Sequence, residues 1–102
     1  MIEQAKKILV TGGASGIGAA ICRRMSDGDS HFLVHTRANK AGLEKTIRDI
    51  EKNGGRGNAE FADLEVKGAA RLLSQRAIDD LGGLDVLDAN AGYAVKTPIT
   101  EI

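Results

Sequence analysis

The sequence predicts an α/β domain in which a parallel sheet carries helices on its two faces. Three observations carry that prediction. Short apolar runs alternate with amphipathic stretches about as long as a crossover helix needs. Glycines punctuate the change from one to the next. The chain has 102 residues, room for one small domain and no more.

The elements follow in order along the sequence. Ile8–Thr11 is a short apolar run ending in glycines and reads as a buried strand. Ile17, Ile21 and Met25 recur every four residues on one helix face, and Asp27-Gly28 ends that helix. His31–Thr36, centred on Phe32-Leu33-Val34, is the second strand. Asn39 can cap a helix with Leu43, Ile47 and Ile50 on one stripe, closed by Asn53-Gly54-Gly55. Asn58–Asp63 around Phe61 is a third, weaker strand. Val66, Ala70, Leu73, Ala77 and Leu81 then stand at helical spacing, and Gly82-Gly83 stops the helix. Leu84–Asn90 is the fourth strand, and Tyr93–Ile102 has no partner element after it.

The order β-α-β-α-β-α-β makes residues 1–102 a single half-domain, with expected strand order 3-2-1-4. The helices before strands two and three then cover one face. Only Val66–Leu81 covers the other, and the fourth strand is left as an open edge.

Composition excludes several function classes. Apolar residues make up 42% and charged residues 27%, ordinary values for a globular chain. Fourteen basic residues balance fourteen acidic ones, so no electrostatic track for nucleic acid or a membrane surface is expected. Zero net charge also eases self-association, most simply as a two-fold dimer. Cys22 is the only cysteine, so no intramolecular disulfide forms and a reducing compartment fits. Met1–Lys7 lacks the apolar core of a signal peptide, and no apolar run is long enough to cross a bilayer. The expectation is a cytoplasmic protein.

Thr11-Gly12-Gly13-Ala14-Ser15-Gly16-Ile17-Gly18 lies where the first strand turns into the first helix and follows T-G-x-x-x-G-x-G. A tight turn needs a residue without Cβ, a pyrophosphate must reach bare backbone, and the helix must start close to the strand. Free N–H groups and the dipole at the helix start then favour an anion. A glycine-rich turn without ligand is the plainer alternative. The setting between strand and helix favours a dinucleotide, with Gly12, Ser15, Gly16, Ile17 and Gly18 as candidate contacts.

This loop, with Asp63-Leu64 and Asn90-Ala91-Gly92 at their places, resembles the short-chain dehydrogenase/reductase family, in particular its 3-oxoacyl-acyl-carrier-protein reductase-like members. The resemblance runs through the whole chain to Thr97–Ile102. It implies the amino-terminal half of a Rossmann-type domain. It also implies hydride transfer between a nicotinamide and a carbonyl or alcohol carbon.

The cofactor is expected to be NADP(H), with NAD(H) the weaker choice. NAD-binding folds of this kind place an acid at the end of the second strand for the ribose hydroxyls. Arg37 stands 19 residues after Gly18, the distance for that role, and His35–Lys40 contains no acid. A guanidinium can grip a 2′-phosphate with two hydrogen bonds where a carboxylate would repel it. The alternative is a solvated loop arginine.

By resemblance, the Asp63 side chain and Leu64 backbone meet the adenine edge, and Asn90-Ala91-Gly92 lies beside the cofactor. Asp63 can equally cap the helix that follows. The family usually has an Asn and an aliphatic residue before the Asn-Ala-Gly turn, where this chain has Ala89 and Asp88. Leu84, Val86 and Asp88 alternate onto one strand face. Asp88 is therefore expected to be exposed, to guard a free edge or to form a local salt bridge.

The resemblance further implies a tyrosine acid/base, a lysine that lowers its pKa, a substrate-orienting serine and an asparagine on a proton path. None is carried over. Tyr93 is the only tyrosine, Lys96 follows at spacing three with Pro98 close behind, and that is a loop rather than one helix face. His31 and His35 share a strand face, but Cys22 is the only other soft ligand and no zinc spacing appears. Strand packing or edge exposure suits the histidines, and a small core position suits Cys22. The expected function is the NADP(H)-binding portion of a truncated oxidoreductase whose parent reduces carbonyls, with 3-oxoacyl thioesters as the implied substrates. The isolated chain is expected to be inactive. Its expected partner is a second copy or a complementary carboxy-terminal half. The other reading is a stand-alone nucleotide-binding or self-assembling module without catalysis.

Overall fold

Ile8, Leu9 and Val10 are all fully buried. Successive strand residues point to opposite faces, so this strand needs cover on both sides. The computed structural model, which describes residues 5–89, provides it. The elements are β1 (Lys6–Thr11), α1 (Gly16–Met25), β2 (Ser30–Thr36), α2 (Lys40–Lys52), β3 (Arg56–Phe61), α3 (Ala69–Leu81) and β4 (Val86–Ala89). All pairs are parallel and the strand order is β3-β2-β1-β4, as the sequence predicts. Asn90-Ala91-Gly92, Tyr93, Lys96 and Pro98 lie outside the described residues.

The sheet divides the core in two. On one face Ile8, Val10, Phe32 and Val34 pack with Cys22 of α1 and with Leu43 and Ile50 of α2. On the other, Leu9 and Leu33 pack with Leu73, Ala77 and Leu81 of α3. Each fully buried large aliphatic side chain contributes about 1.5–3 kcal/mol. Asn39 caps α2 as expected, its Oδ1 accepting from the Gly42 N–H at 3.0 Å.

Four boundaries differ from the sequence expectation. In α1 the buried residues are Gly18, Ala19 and Cys22, while Ile17 is 72% exposed. The start of α1 lies too close to the turn before it for a large side chain, so Ile17 falls outside the buried stripe, while Ile21 is half-buried and Met25 packs against the core. β3 runs over Arg56–Phe61 rather than 58–63, because its register with β2 begins at His31 opposite Arg56. Asp63 thus stands past the strand end. α3 begins at Ala69, after Gly68 with φ +85°, and Val66 is an exposed turn residue rather than part of the helical stripe. β4 is only Val86–Ala89, and Leu84 precedes it. Leu84 packs on the α3 side and Val86 on the α1 side, so they do not share a face.

Asp88 stands opposite Val10 and is half-exposed, so its carboxylate is not sealed in the core. His31 and His35 are both buried in β2 by strand packing, without edge exposure. Burial lowers the pKa of His31 below its ordinary 6.5.

Cys22 is the small core residue the sequence suggests. Burial chiefly, and the Asp88 carboxylate next, push its thiol up from 9.0 to about 12. An unfolded chain ionises this thiol earlier. The group therefore favours the native state below about pH 9 and loses that contribution as pH rises toward about 12. Urea titrations from about pH 8 to about pH 11 should show the wild type losing stability more steeply than Cys22→Ala. Parallel slopes would mean that the thiol is not buried in solution.

Candidate functional site

The site begins where β1 ends. Gly12 has φ +64° and Gly16 φ +57°, both in the left-handed region where a Cβ is strained. Gly13 leaves no room for a side chain, because a Cβ there would run into the Val34 side chain. A Cβ on Gly18 would strike the carbonyl oxygen of Gly12. The turn is therefore pressed between the sheet and the first turn of α1.

That helix start is suited to an anion. The first turn of α1 has no acidic residue, its last turn holds Arg23 and Arg24, and Ser15 makes no capping bond with its side chain. The first N–H groups of a helix lack partners within it, and the dipole adds positive potential there. Ser15, Gly16 and Ile17 are exposed beside the turn.

Two buried side chains hold the turn from below. The Gly12 N–H donates to Nδ1 of His35 at 3.1 Å, and the Gly13 N–H donates to the His35 carbonyl at 2.8 Å. The other ring nitrogen, Nε2, lies 2.8 Å from the Ala62 carbonyl just past β3. A ring nitrogen that accepts carries no proton, so Nε2 bears the hydrogen and donates to Ala62. From α2, the Thr46 hydroxyl lies 2.8 Å from the Gly13 carbonyl and 3.0 Å from that of Gly42. Gly42 itself must lack a Cβ, which would meet the Ala14 carbonyl.

A cleft of about 240 Å³ opens between Gly12, the Thr36-Arg37 end of β2 and the segment from Ala62 to Glu65, with His35 in its lining. It lies at the carboxyl ends of the strands, where open parallel sheets bind ligands. Arg37 is 70% exposed, and its Nε lies 3.8 Å from Oδ2 of Asp63. The other Asp63 oxygen, Oδ1, accepts from the Glu65 N–H at 3.0 Å. Asp63 thus shapes the turn ahead of α3 and does not cap the helix itself, which starts after Gly68.

Of the residues singled out in the sequence, Gly12, Arg37, Asp63 and Leu64 line this one cleft. Ser15, Gly16, Ile17 and Gly18 form the adjoining loop and first helical turn. Asn90, Ala91 and Gly92 lie outside the described residues. Sequence reasoning missed His35, Gly42 and Thr46. Thr46 left a trace as the one polar residue among the buried positions of α2, with Leu43 and Ile50. Among the described residues no cluster of three or more His, Cys, Asp or Glu could hold a metal. No helix among them is long and apolar enough to cross a membrane.

Thr46→Val keeps the shape of the side chain but removes the donor facing Gly13. A buried carbonyl left without its donor costs about 1–3 kcal/mol. Chemical denaturation should show a loss in that range; an unchanged midpoint would mean that the Thr46 bond does not hold the turn.

The short chain dehydrogenase family profile matches residues 6–102. An oxidoreductase of Mycobacterium bovis is 34% identical over 93 residues, which is 89% of this chain and 27% of that protein. A short chain dehydrogenase from Burkholderia cenocepacia, crystallised with NADP, superposes with a TM-score of 0.81 at 32% identity, covering 97% of this chain and 40% of the other. A blue fluorescent protein from a metagenomic library, in complex with NADPH, gives 0.79 at 32% identity, with 100% and 42% covered. The chain thus spans well under half the length of these relatives.

Proposed function

The chain belongs to the short-chain dehydrogenase family, and on that premise we propose that it is the NADP(H)-binding portion of a carbonyl-reducing oxidoreductase. The observation that carries this reading is the cleft at the strand ends. There a basic residue, Arg37, stands where an NAD-preferring site would place an acid. Gly12, Ser15, Gly16, Ile17 and Gly18 receive the pyrophosphate at the start of α1, and Arg37 receives the 2′-phosphate. Asp63 and Leu64 meet the adenine edge, and the Asn90-Ala91-Gly92 turn lies beside the cofactor. The NADP- and NADPH-bound relatives support the choice of cofactor.

The hydride donor is one component of the parent reaction; proton transfer and substrate positioning are the others. In this reading those belong to a serine, a tyrosine and a lysine past Ile102, with 3-oxoacyl thioesters as the substrate class. The 102 residues alone then hold the nucleotide without turning over a carbonyl. A reducing, cytoplasmic setting suits the single buried thiol.

The exposure of β4 supports a partner. Among the described strands it bonds only to β1, and its Val86 and Leu87 are just half-buried where Ile8 and Leu9 beside them are fully covered. A second copy or a complementary carboxy-terminal half covers that region. Light scattering of the 102-residue chain at micromolar concentration should show a species larger than the monomer. A strictly monomeric chain counts against pairing of copies through β4.

Titration of the chain with NADPH and NADH tests the cofactor assignment. A charge-assisted hydrogen bond is worth about 1.5–3 kcal/mol, so NADPH should bind about tenfold or more tightly than NADH. Arg37→Asp should reverse that order. Equal affinities in the unmutated chain would remove Arg37 from the site.

A further inference from the structure

The glycine turn has a weakness of its own. Gly12 owes its left-handed conformation to the absence of a Cβ, and the same absence lets it adopt many others. Something else must fix it. Among the described residues, the side chain bonded to its N–H is His35, which is 3% exposed and held in β2.

We infer that His35 is the positioning residue of the nucleotide site. It links the Gly12 turn to the segment after β3 and sets the gap between them. The inference rests on the NADP(H) reading above. β2 lies between β1 and β3, and the strand ends on either side of it form the two walls of the cleft. An imidazole is suited to bridge them. Its bare Nδ1 accepts from Gly12 at 3.1 Å while Nε2–H donates to Ala62 at 2.8 Å. Lys and Arg have no acceptor, an ionised carboxylate has no donor, and Thr or Asn is too short to reach both walls.

The links on either side continue the chain of contacts. The Gly13 N–H bonds the His35 carbonyl, and the Ala62 N–H bonds the Thr36 carbonyl at 3.2 Å. Backbone bonds thus align the two walls with β2, and the imidazole crosses between them. Pyrophosphate faces one wall and adenine the other, and both groups occur in NADPH and NADH alike. His35 therefore acts on both nucleotides equally, whereas Arg37 acts on the phosphate that only one of them carries.

The test is NADPH and NADH titration of the full chain, its His35→Phe and His35→Asn variants, with long-range proton–nitrogen spectra of the imidazole. The wild type should show a bare Nδ1, a protonated Nε2 and slow exchange of the Gly12 amide. His35→Phe should weaken both nucleotides by the same factor, about tenfold for two lost neutral bonds. His35→Asn places an amide oxygen where Nδ1 stands. It should stay within about threefold of wild type for both and keep the Gly12 amide protected. That rescue separates positioning from simple loss of packing, and the wild-type imidazole spectra and Gly12 amide exchange carry the test if His35→Phe does not fold. A proton on Nδ1 overturns the inference. So does wild-type affinity in His35→Phe, or a loss in either variant that differs between the two nucleotides. No binding of either nucleotide by the wild type overturns the NADP(H) reading as well; wild-type binding that His35→Phe leaves intact overturns the positioning role alone.

Discussion

The cleft end of this fold depends on one close approach, that of the α1 start to the Gly12–Gly13 turn. No side chain separates the two, because a Cβ on Gly18 would occupy the space of the Gly12 carbonyl oxygen. The contact sets where α1 lies on the sheet, and hence which of its residues are buried. Gly18, Ala19 and Cys22 are buried beneath it and Ile17 is not. The same closeness brings α2 in, since Gly42 touches the Ala14 carbonyl and Thr46 satisfies that of Gly13. Backbone packed on backbone leaves few polar groups open to water. Each buried one therefore needs a protein partner, and His35 and Thr46 supply those partners.

The strand order and the alternation of elements were legible because a parallel sheet buries both faces of its strands. Ile8-Leu9-Val10 and Phe32-Leu33-Val34 announce such strands as unbroken apolar runs, and glycines mark the stops. β3 begins two residues before its sequence pattern suggests, for a physical reason. It is an edge strand, its Gly57 and Asn58 are half-exposed, and a partly wet strand has no apolar run to mark its ends. α1 departs from its sequence pattern because helical periodicity assumes that large apolar residues face the core. A helix pressed against a turn buries its smallest residues instead. The left-handed Gly68 ahead of α3 is a boundary set by conformation rather than by pattern.

The site was legible where spacing along one segment decides the chemistry, as in the glycine loop and at Arg37. It was not legible where a residue acts through neighbours distant in sequence. His35 bonds Gly12 and Ala62, 23 and 27 positions away, and no local pattern encodes either contact. Asp63 lies between these cases. The sequence puts it at the end of the third strand, whereas it stands in the turn beyond, where one oxygen serves the turn and the other faces Arg37.

That Arg37–Asp63 pair shapes how the proposed site discriminates. At 3.8 Å, with Arg37 70% exposed, the ion pair is worth about 0–1 kcal/mol. It is too weak to hold the guanidinium against a better partner. A phosphate monoester near neutral pH carries about −1.5 to −2 charges and offers a bidentate geometry, so it displaces Asp63 at little cost. The displaced carboxylate is not stranded, because its Oδ1 remains bonded to the Glu65 N–H. A bare ribose hydroxyl is neutral and gains only a weak bond from Arg37, which leaves the resting pair in place. In the proposed function the site would therefore discriminate in two steps that use the same residues. The phosphate is rewarded by the arginine, and its absence leaves that arginine bound to an aspartate across the cleft.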